Sequence, residues 1–301
     1  AKDVSLEVAS ADWVRAMLPA RPRDANKGTF GKVLVVAGSG EYIGAAYLAC
    51  AGAVRAGAGL VTLATPRSLV PVVASRIAEV TYLPLPESAP GEVNGAEGAR
   101  LAHQALPNYD ALLIGCGVGQ KPGAVELVRQ TLTAMPTGVA PRTVIDADGL
   151  NILSQLAKWW ERVPRNAVLT PHPGEMSRLS GQAIAKVQGD RLQASREAAK
   201  TWSKTVLLKG AYSVVARPEG QAMINPFANA ALATAGTGDV LAGIIAGMLA
   251  QGLAPFEAAA VAAYIHGAAG ERVADQLGDT GTAASDLLTE VPRAVKGLRG
   301  G

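Results

Sequence analysis

Polar and apolar positions divide the chain into two recurring patterns. Short apolar stretches with no polar face occur at 32–37, 60–64, 79–83, 111–114, 143–146, 167–170, 205–209, 213–216 and 222–224. A strand reads this way when both sides of its sheet are covered. Between them, apolar residues recur at helical spacing over 5–20, 44–57, 95–106, 122–134, 149–162, 174–180 and 187–203. The last quarter, 239–250, 255–275 and 283–297, is all helix. Strands alternating with helices predict an α/β fold, a mostly parallel sheet with helices on both faces. The helix at 44–57 is built of Gly44, Ala45, Ala46, Ala49, Ala51, Gly52 and Ala53, so it packs closely on a sheet or on another helix. No linker, repeat or low-complexity segment interrupts the pattern, and 1–301 reads as one domain. The stretch 84–95 is expected to be a disordered loop.

Composition narrows the function classes. The 301 residues are 49% hydrophobic, enough for a large core. Lys and Arg total 28 against 25 acids; the early cluster Arg21, Arg23, Lys27, Lys32 has no aromatic interleaving, so no nucleic acid is expected. Cys50 and Cys116 lie among apolar or glycine neighbours without metal-ligand spacing, which excludes a zinc or disulfide framework and suits reduced thiols in the cytoplasm. The first residues hold no apolar signal region, and the longest apolar stretches fall short of a bilayer. A soluble, cytoplasmic protein is expected.

The chemistry gathers where strands end. Gly38-Ser-Gly-Glu-Tyr-Ile-Gly44 follows a strand and opens a helix, but it is one residue longer than the dinucleotide fingerprint. The next strand ends in Thr65-Pro66-Arg67 rather than an acid, so a Rossmann oxidoreductase is a weak alternative. Gly115, Gly117 and Gly119 form a second glycine-rich exit. Asp146, Asp148 and Asn151 place oxygens that can hold Mg²⁺ beside phosphates, or cap the next helix. Two prolines fix the loop around His172 and Glu175. His103 and His266, on helices, are expected to be structural. Lys209-Gly210 ends a buried strand, where a lysine either snorkels to solvent or meets phosphate. No P-loop sequence is present. Finally, Ala235-Gly-Thr-Gly-Asp239 precedes an apolar helix. Gly236 and Gly238 let amides approach an anion at the positive helix end, with Asp239 at the rim.

Taken in order, these stretches resemble the ribokinase-like superfamily and, within it, the ADP-dependent NAD(P)H-hydrate dehydratase family. The resemblance is carried by Lys27-Gly-Thr-Phe-Gly-Lys, Tyr42-Ile-Gly-Ala-Ala, Arg55-Ala-Gly-Ala-Gly, Asp146-Ala-Asp-Gly-Leu-Asn, Thr170-Pro-His-Pro-Gly-Glu-Met, Leu208-Lys-Gly and Ala235-Gly-Thr-Gly-Asp. It covers nearly the whole chain with no departure at the motif positions. It implies a ribokinase-like three-layer sandwich and a reaction in which ADP phosphorylates the hydroxyl of hydrated NADH or NADPH. Loss of phosphate then returns NAD(P)H and leaves AMP. The resemblance implies that Gly236, Gly238 and Asp239 are catalytic. Ala45, Gly119, His172 and Asp239 would line the hydrated cofactor. Lys209, Gly210, Ala211, Tyr212, Ser213 and Gly238 would border ADP or AMP, and Mg²⁺ would lie near Asp146, Asn151 and Glu175. It also implies a homotetramer and a free-standing form that works beside a separate epimerase.

One physical expectation stands apart. A helix N-terminus stabilises an ionised carboxylate, so Asp239 is expected to be a weak base that aligns the hydroxyl and takes its proton late. A vitamin-precursor kinase acting on a hydroxymethyl-pyrimidine or thiazole alcohol with ATP is the alternative within the superfamily. A nucleotide sensor without turnover is the alternative outside it.

Overall fold

The computed structural model describes residues 6–135 and 140–300. Its strands are β1 (Leu6–Val8), β2 (Lys32–Val36), β3 (Leu60–Pro66), β4 (Thr81–Leu85), β5 (Glu87–Ala89), β6 (Glu92–Val93), β7 (Ala111–Ile114), β8 (Arg142–Ile145), β9 (Ala167–Leu169), β10 (Thr205–Leu208), β11 (Val214–Ala216) and β12 (Ala222–Ile224). Ten of them make one sheet in the order β1-β12-β11-β10-β9-β8-β7-β2-β3-β4, and β5 pairs with β6 as a separate hairpin. Pairing is parallel throughout the large sheet except at β11, which runs against both neighbours.

Alternate residues of each apolar strand feed two cores. Val33, Val35, Leu113, Val144 and Leu207 pack towards helices Ile43–Arg55, Thr237–Ala250, Pro255–Leu277 and Ala284–Leu298. Leu34, Val36, Leu112, Ile114, Ile145 and Leu208 face the other way, towards Gly95–Ala105, Pro122–Thr133 and Arg191–Trp202. This is the expected three-layer sandwich, and the absence of a polar strand face is its direct cause.

The helices Ile43–Arg55 and Thr237–Ala250 meet backbone to backbone. A Cβ on Gly243 would lie 2.1 Å from the carbonyl oxygen of Ala49. Any side chain there would force the helices apart, at about 1–3 kcal/mol for overpacking. The small residues of 44–57 therefore serve a helix contact, which fixes where the Thr237–Ala250 helix begins.

Several expected boundaries moved. Residues 5–20 are not one helix: Leu6–Val8 pairs with β12, and the helix is Ala11–Met17, with Ser10 Oγ accepting from the Trp13 amide. The expected helix 149–162 stops at Leu153 and is followed by a turn at Trp159–Glu161, entered through Lys158 at φ 49°. Residues 187–203 split into Ile184–Gly189 and Arg191–Trp202, because Asp190 leaves helical geometry and caps the Gln193 amide. The stretch 84–95 is ordered as the end of β4 and the β5–β6 hairpin, braced by Glu87, whose carboxylate accepts from the Gly91 amide and the Ser68 hydroxyl. A short helix, Val70–Ala74, was not anticipated.

Candidate active site

In the parallel run β2, β7, β8 and β9, Val36 pairs with Ile114, Ile114 with Ile145 and Ile145 with Leu169. The residues just beyond these strands, and Lys209 beyond β10, therefore emerge side by side at one carboxyl edge, where open α/β sheets bind ligands.

Asp146 is the centre of the polar cluster there. It is 1% exposed. Its Oδ1 accepts from Lys209 Nζ at 2.6 Å and from Thr170 Oγ1 at 2.7 Å, and the Cys116 thiol lies 3.9 Å from its Oδ2. Burial alone would lower the Lys209 ammonium, but Asp146 and Glu175 outweigh it and hold Lys209 above its usual range. Glu175 Oε2 lies 3.7 Å from Lys209 Nζ and accepts from the His172 amide at 2.7 Å. Burial pushes Glu175 up to about 7 against the pull of Lys209. His172 Nδ1 accepts from the Gly174 amide at 3.0 Å, so a neutral ring carries its proton on Nε2. Burial, then Lys209 and Arg178, lower the His172 pKa.

Asp239 stands opposite, in the first turn of the Thr237–Ala250 helix. One ligand atom each from Cys116, Asp146 and Asp239 lie within 4.8 Å of one another. Burial, then the charge of Asp146, push Asp239 up to about 7. That corrects the expectation of a low-pKa carboxylate: lost hydration and a neighbouring carboxylate override the helix end. Cys116 is driven well above its usual range by burial and then by Asp239, and stays a thiol. Gly236 enters the helix at φ 94°, a left-handed conformation that a side chain would strain, and a Cβ there would also meet Leu48.

The Gly236–Asp239 turn is fixed from behind. His266, a buried side chain, places Nε2 2.9 Å from the Thr237 carbonyl oxygen. A carbonyl can only accept, so Nε2 is the donor. Burial lowers His266 to about 4, keeping it neutral. The Thr237 carbonyl and the Gly238 N–H belong to one rigid trans peptide. Holding the carbonyl therefore aims the Gly238 N–H away from His266. His266, expected to be structural, holds this peptide and also faces the cavity beside the turn. His103, also expected to be structural, sits on its helix with Nε2 3.3 Å from the Thr131 carbonyl.

A cavity of about 500 Å³ opens beside this turn. Lys209, Gly210, Ala211, Ser213, Gly238 and His266 line it. Tyr212 does not: its side chain is 57% exposed, and its amide donates to the Phe227 carbonyl at 2.9 Å. On the other side of Asp239, Gly117 packs against Ala45, and Gly119 lies beside Ser39. The Gly119 amide donates to Asp148 Oδ2 at 2.9 Å, tying the exits of β7 and β8 together. Asn151 Oδ1 accepts from Arg178 Nε at 2.8 Å. Ala147, between Asp146 and Asp148, sits at φ 49°, ψ −119°. Such strain in a non-glycine residue is held only where surrounding contacts demand it. Cys116 and Thr170 were invisible as site residues in the sequence, because nothing in one strand tells which atoms of the next it will face.

The sheet order, the glycine-rich helix start and the buried carboxylate–lysine edge define a ribokinase-like α/β protein. The chain belongs to the NAD(P)H-hydrate dehydratase family of carbohydrate-kinase type, whose profile matches residues 33–293. It is 43% identical over 96% of its length to a bifunctional NAD(P)H-hydrate repair enzyme of Moorella thermoacetica, covering 54% of that protein. It is 38% identical over 93% of its length to the ADP-dependent (S)-NAD(P)H-hydrate dehydratase of Neisseria meningitidis, covering 88% of it. The chain thus spans about half the length of the bifunctional relatives it matches. A Bacillus subtilis ADP/ATP-dependent NAD(P)H-hydrate dehydratase, co-crystallised with ATP and Mg²⁺, superposes with a TM-score of 0.83 at 32% identity, covering 99% of this chain and 100% of that one. A hydroxyethylthiazole kinase from Pyrococcus horikoshii shares the fold at a TM-score of 0.59 and 15% identity, which leaves the vitamin-kinase alternative distant.

Proposed function

We propose that this chain dehydrates hydrated NADH and NADPH, driven by conversion of ADP to AMP and phosphate. The observation that carries the reading is Asp239, held near neutrality at a glycine-rich helix start, with Lys209 and a cavity of about 500 Å³ beside it. ADP fits the cavity, its β-phosphate towards the amides of the Gly236–Asp239 turn and towards Lys209. The substrate hydroxyl lies against Asp239, between Ala45, Gly119 and His172. The hydroxyl oxygen attacks the β-phosphorus, the phosphoanhydride bond breaks, and AMP departs. Asp239 accepts the hydroxyl proton. The bond from the ring carbon to the phosphate-ester oxygen then cleaves, the neighbouring ring carbon gives its proton to water, and phosphate leaves with the double bond restored. Phosphoryl transfer proceeds through a loose transition state, so positioning and charge neutralisation carry most of the catalysis.

Mg²⁺ is part of the proposal. Mg²⁺ favours one or two carboxylates together with substrate phosphates and water. Asp146, with Oδ1 already committed to Lys209 and Thr170, leaves Oδ2 for such a role; the Cys116 thiol beside it is a poor ligand for a hard cation. Asp146 would hold the ion, with Glu175 through water, and the ion would neutralise phosphate charge. Asn151, engaged by Arg178, would contribute only after releasing that partner.

A cytoplasmic setting, a homotetramer and work alongside a separate epimerase complete the proposal. Among the described residues no helix is long and apolar enough to cross a membrane. The test incubates hydrated NADH with ADP or ATP and Mg²⁺ and follows the return of NADH absorbance. Recovery with ADP is expected, and no recovery with either nucleotide overturns the reading. Light scattering of the purified chain tests the tetramer.

A further inference from the structure

The proposed chemistry gives the Cys116 thiol no task, yet the backbone on both sides of it is fixed. Gly115 and Gly117 flank it at φ 122° and 61°, and a Cβ on Gly115 would stand 2.1 Å from the Asp146 carbonyl oxygen. Only glycine fits there. The Cys116 carbonyl accepts from the Gly38 amide at 2.9 Å. The thiol itself is fully buried and lies 3.9 Å from Asp146 Oδ2. Among the described residues no N–H or O–H reaches that oxygen, because Lys209 and Thr170 both donate to Oδ1. A buried carboxylate oxygen without such a donor therefore points at a sulfur. Asp239 completes the group, with one ligand atom from each of the three residues within 4.8 Å of the others.

This set of atoms selects a thiophilic cation. Thiolate favours Zn²⁺ and softer ions, whereas Mg²⁺ takes oxygen. Zn²⁺ binds sulfur at about 2.3 Å and carboxylate oxygen at about 2.1 Å, so in a tetrahedral site the two ligand atoms stand roughly 3.6 Å apart. The 3.9 Å between Cys116 Sγ and Asp146 Oδ2 needs only a small adjustment. Three protein ligands leave a fourth position for water or phosphate. The charge also suits a cation. Three carboxylates, Asp146, Glu175 and Asp239, stand around the Lys209 ammonium, which holds Asp146 by Oδ1 and leaves Oδ2 free of it. Asp239 is partly exposed and gives an ion its way in.

We propose that Cys116, Asp146 and Asp239 form an inhibitory site for Zn²⁺ and other thiophilic divalent cations. Binding forms one metal–sulfur and two metal–oxygen bonds and releases the thiol proton to solvent. It takes from Asp239 the carboxylate that receives the hydroxyl proton, and from Asp146 the oxygen offered to Mg²⁺. The inhibition rests on the function proposed above; the binding does not. Spacing along the chain gives no sign of the site, because its ligands come from the exits of β7 and β8 and from the Thr237–Ala250 helix.

Co²⁺ serves as the binding probe, because a cobalt–thiolate bond gives a charge-transfer absorption that carboxylates do not. The chain has two cysteines, so the band can be assigned. Wild type and Cys50→Ala should show it, Cys116→Ser and Cys116→Ala should not, and added Zn²⁺ should abolish it. Zn²⁺ should also raise the melting temperature of wild type, as a ligand of the folded chain does. Loss of even an outer-shell partner costs roughly 10–100-fold in metal affinity. Each Cys116 variant should therefore need about 100-fold more Zn²⁺ to halve its own uninhibited rate in the dehydratase assay with Mg²⁺ in excess. No band in wild type, a band that survives in both Cys116 variants, or equal Zn²⁺ sensitivity in wild type and both variants overturns the site. A Cys116-dependent band in a chain without turnover upholds the metal site and overturns the proposed function.

Discussion

Lys209 places its ammonium 2.6 Å from Asp146 Oδ1 across the ends of two strands separated in the sheet by β9. The same nitrogen is the atom nearest to a Cβ built on Gly238, at 3.6 Å. One charge therefore answers a buried carboxylate behind it and faces the Gly236–Asp239 turn in front.

Replacing that charge should cost twice. Lys209→Met leaves Asp146 buried without its cation, which destabilises by about 3 kcal/mol when one partner of a buried pair is removed. It also removes a donor from the transferred phosphoryl group, a loss of about 10²–10³ in kcat. Chemical denaturation and steady-state kinetics on the same preparation check both.

The pH profile follows from Asp239. As the proton acceptor it must be ionised, so kcat/KM should rise with pH and level off above about 7, where the carboxylate titrates. Stability runs the other way. The folded-state pKa lies above the ordinary value of 3.8, so the folded chain holds this proton more tightly than the unfolded one. The contribution is fully present below pH 3.8 and is lost as pH rises towards 7. Asp239→Asn, which cannot ionise, should therefore melt higher than wild type at pH 8, with the gap closing by pH 4. A variant that melts lower at pH 8 contradicts this.

His266 acts at one remove, through the Thr237–Gly238 peptide. His266→Leu removes the donor to the Thr237 carbonyl, a bond of about 1 kcal/mol, and should lower kcat/KM for ADP roughly fivefold. His266→Gln keeps a donor and should restore most of the loss. If both variants lose equally, the role is packing alone. KM for the hydrated cofactor is the internal control.

Ala147 should reveal the strain between Asp146 and Asp148. At φ 49°, ψ −119° a glycine is relieved of a cost of about 1–3 kcal/mol. The added freedom of the unfolded chain returns about 0.4–1 kcal/mol. Ala147→Gly should thus raise the unfolding free energy by about 1 kcal/mol. A lower value contradicts the strain.

Much of this was legible before the structure. The apolar strands and their turns specify a two-sided parallel sheet, and parallel register then collects Gly38, Cys116, Asp146, Thr170 and Lys209 at one edge. Helix ends were less legible, because capping depends on single polar residues such as Asp190. The hairpin at Glu87–Val93 escaped because its stability lies in contacts with Ser68 and Gly40, distant in sequence. The ionisation of Asp239 was misjudged for the same reason. The helix start is written locally, while the burial and the Asp146 charge that override it come from β8 across the site.

The most direct test of the central claim is kcat for Asp239→Asn with hydrated NADH, ADP and Mg²⁺. A positioned general base supplies about 10²–10⁴ in rate, so kcat should fall by that much while KM for ADP changes little. Retention of most of kcat, with only KM altered, would contradict the role of Asp239 as the group that receives the hydroxyl proton.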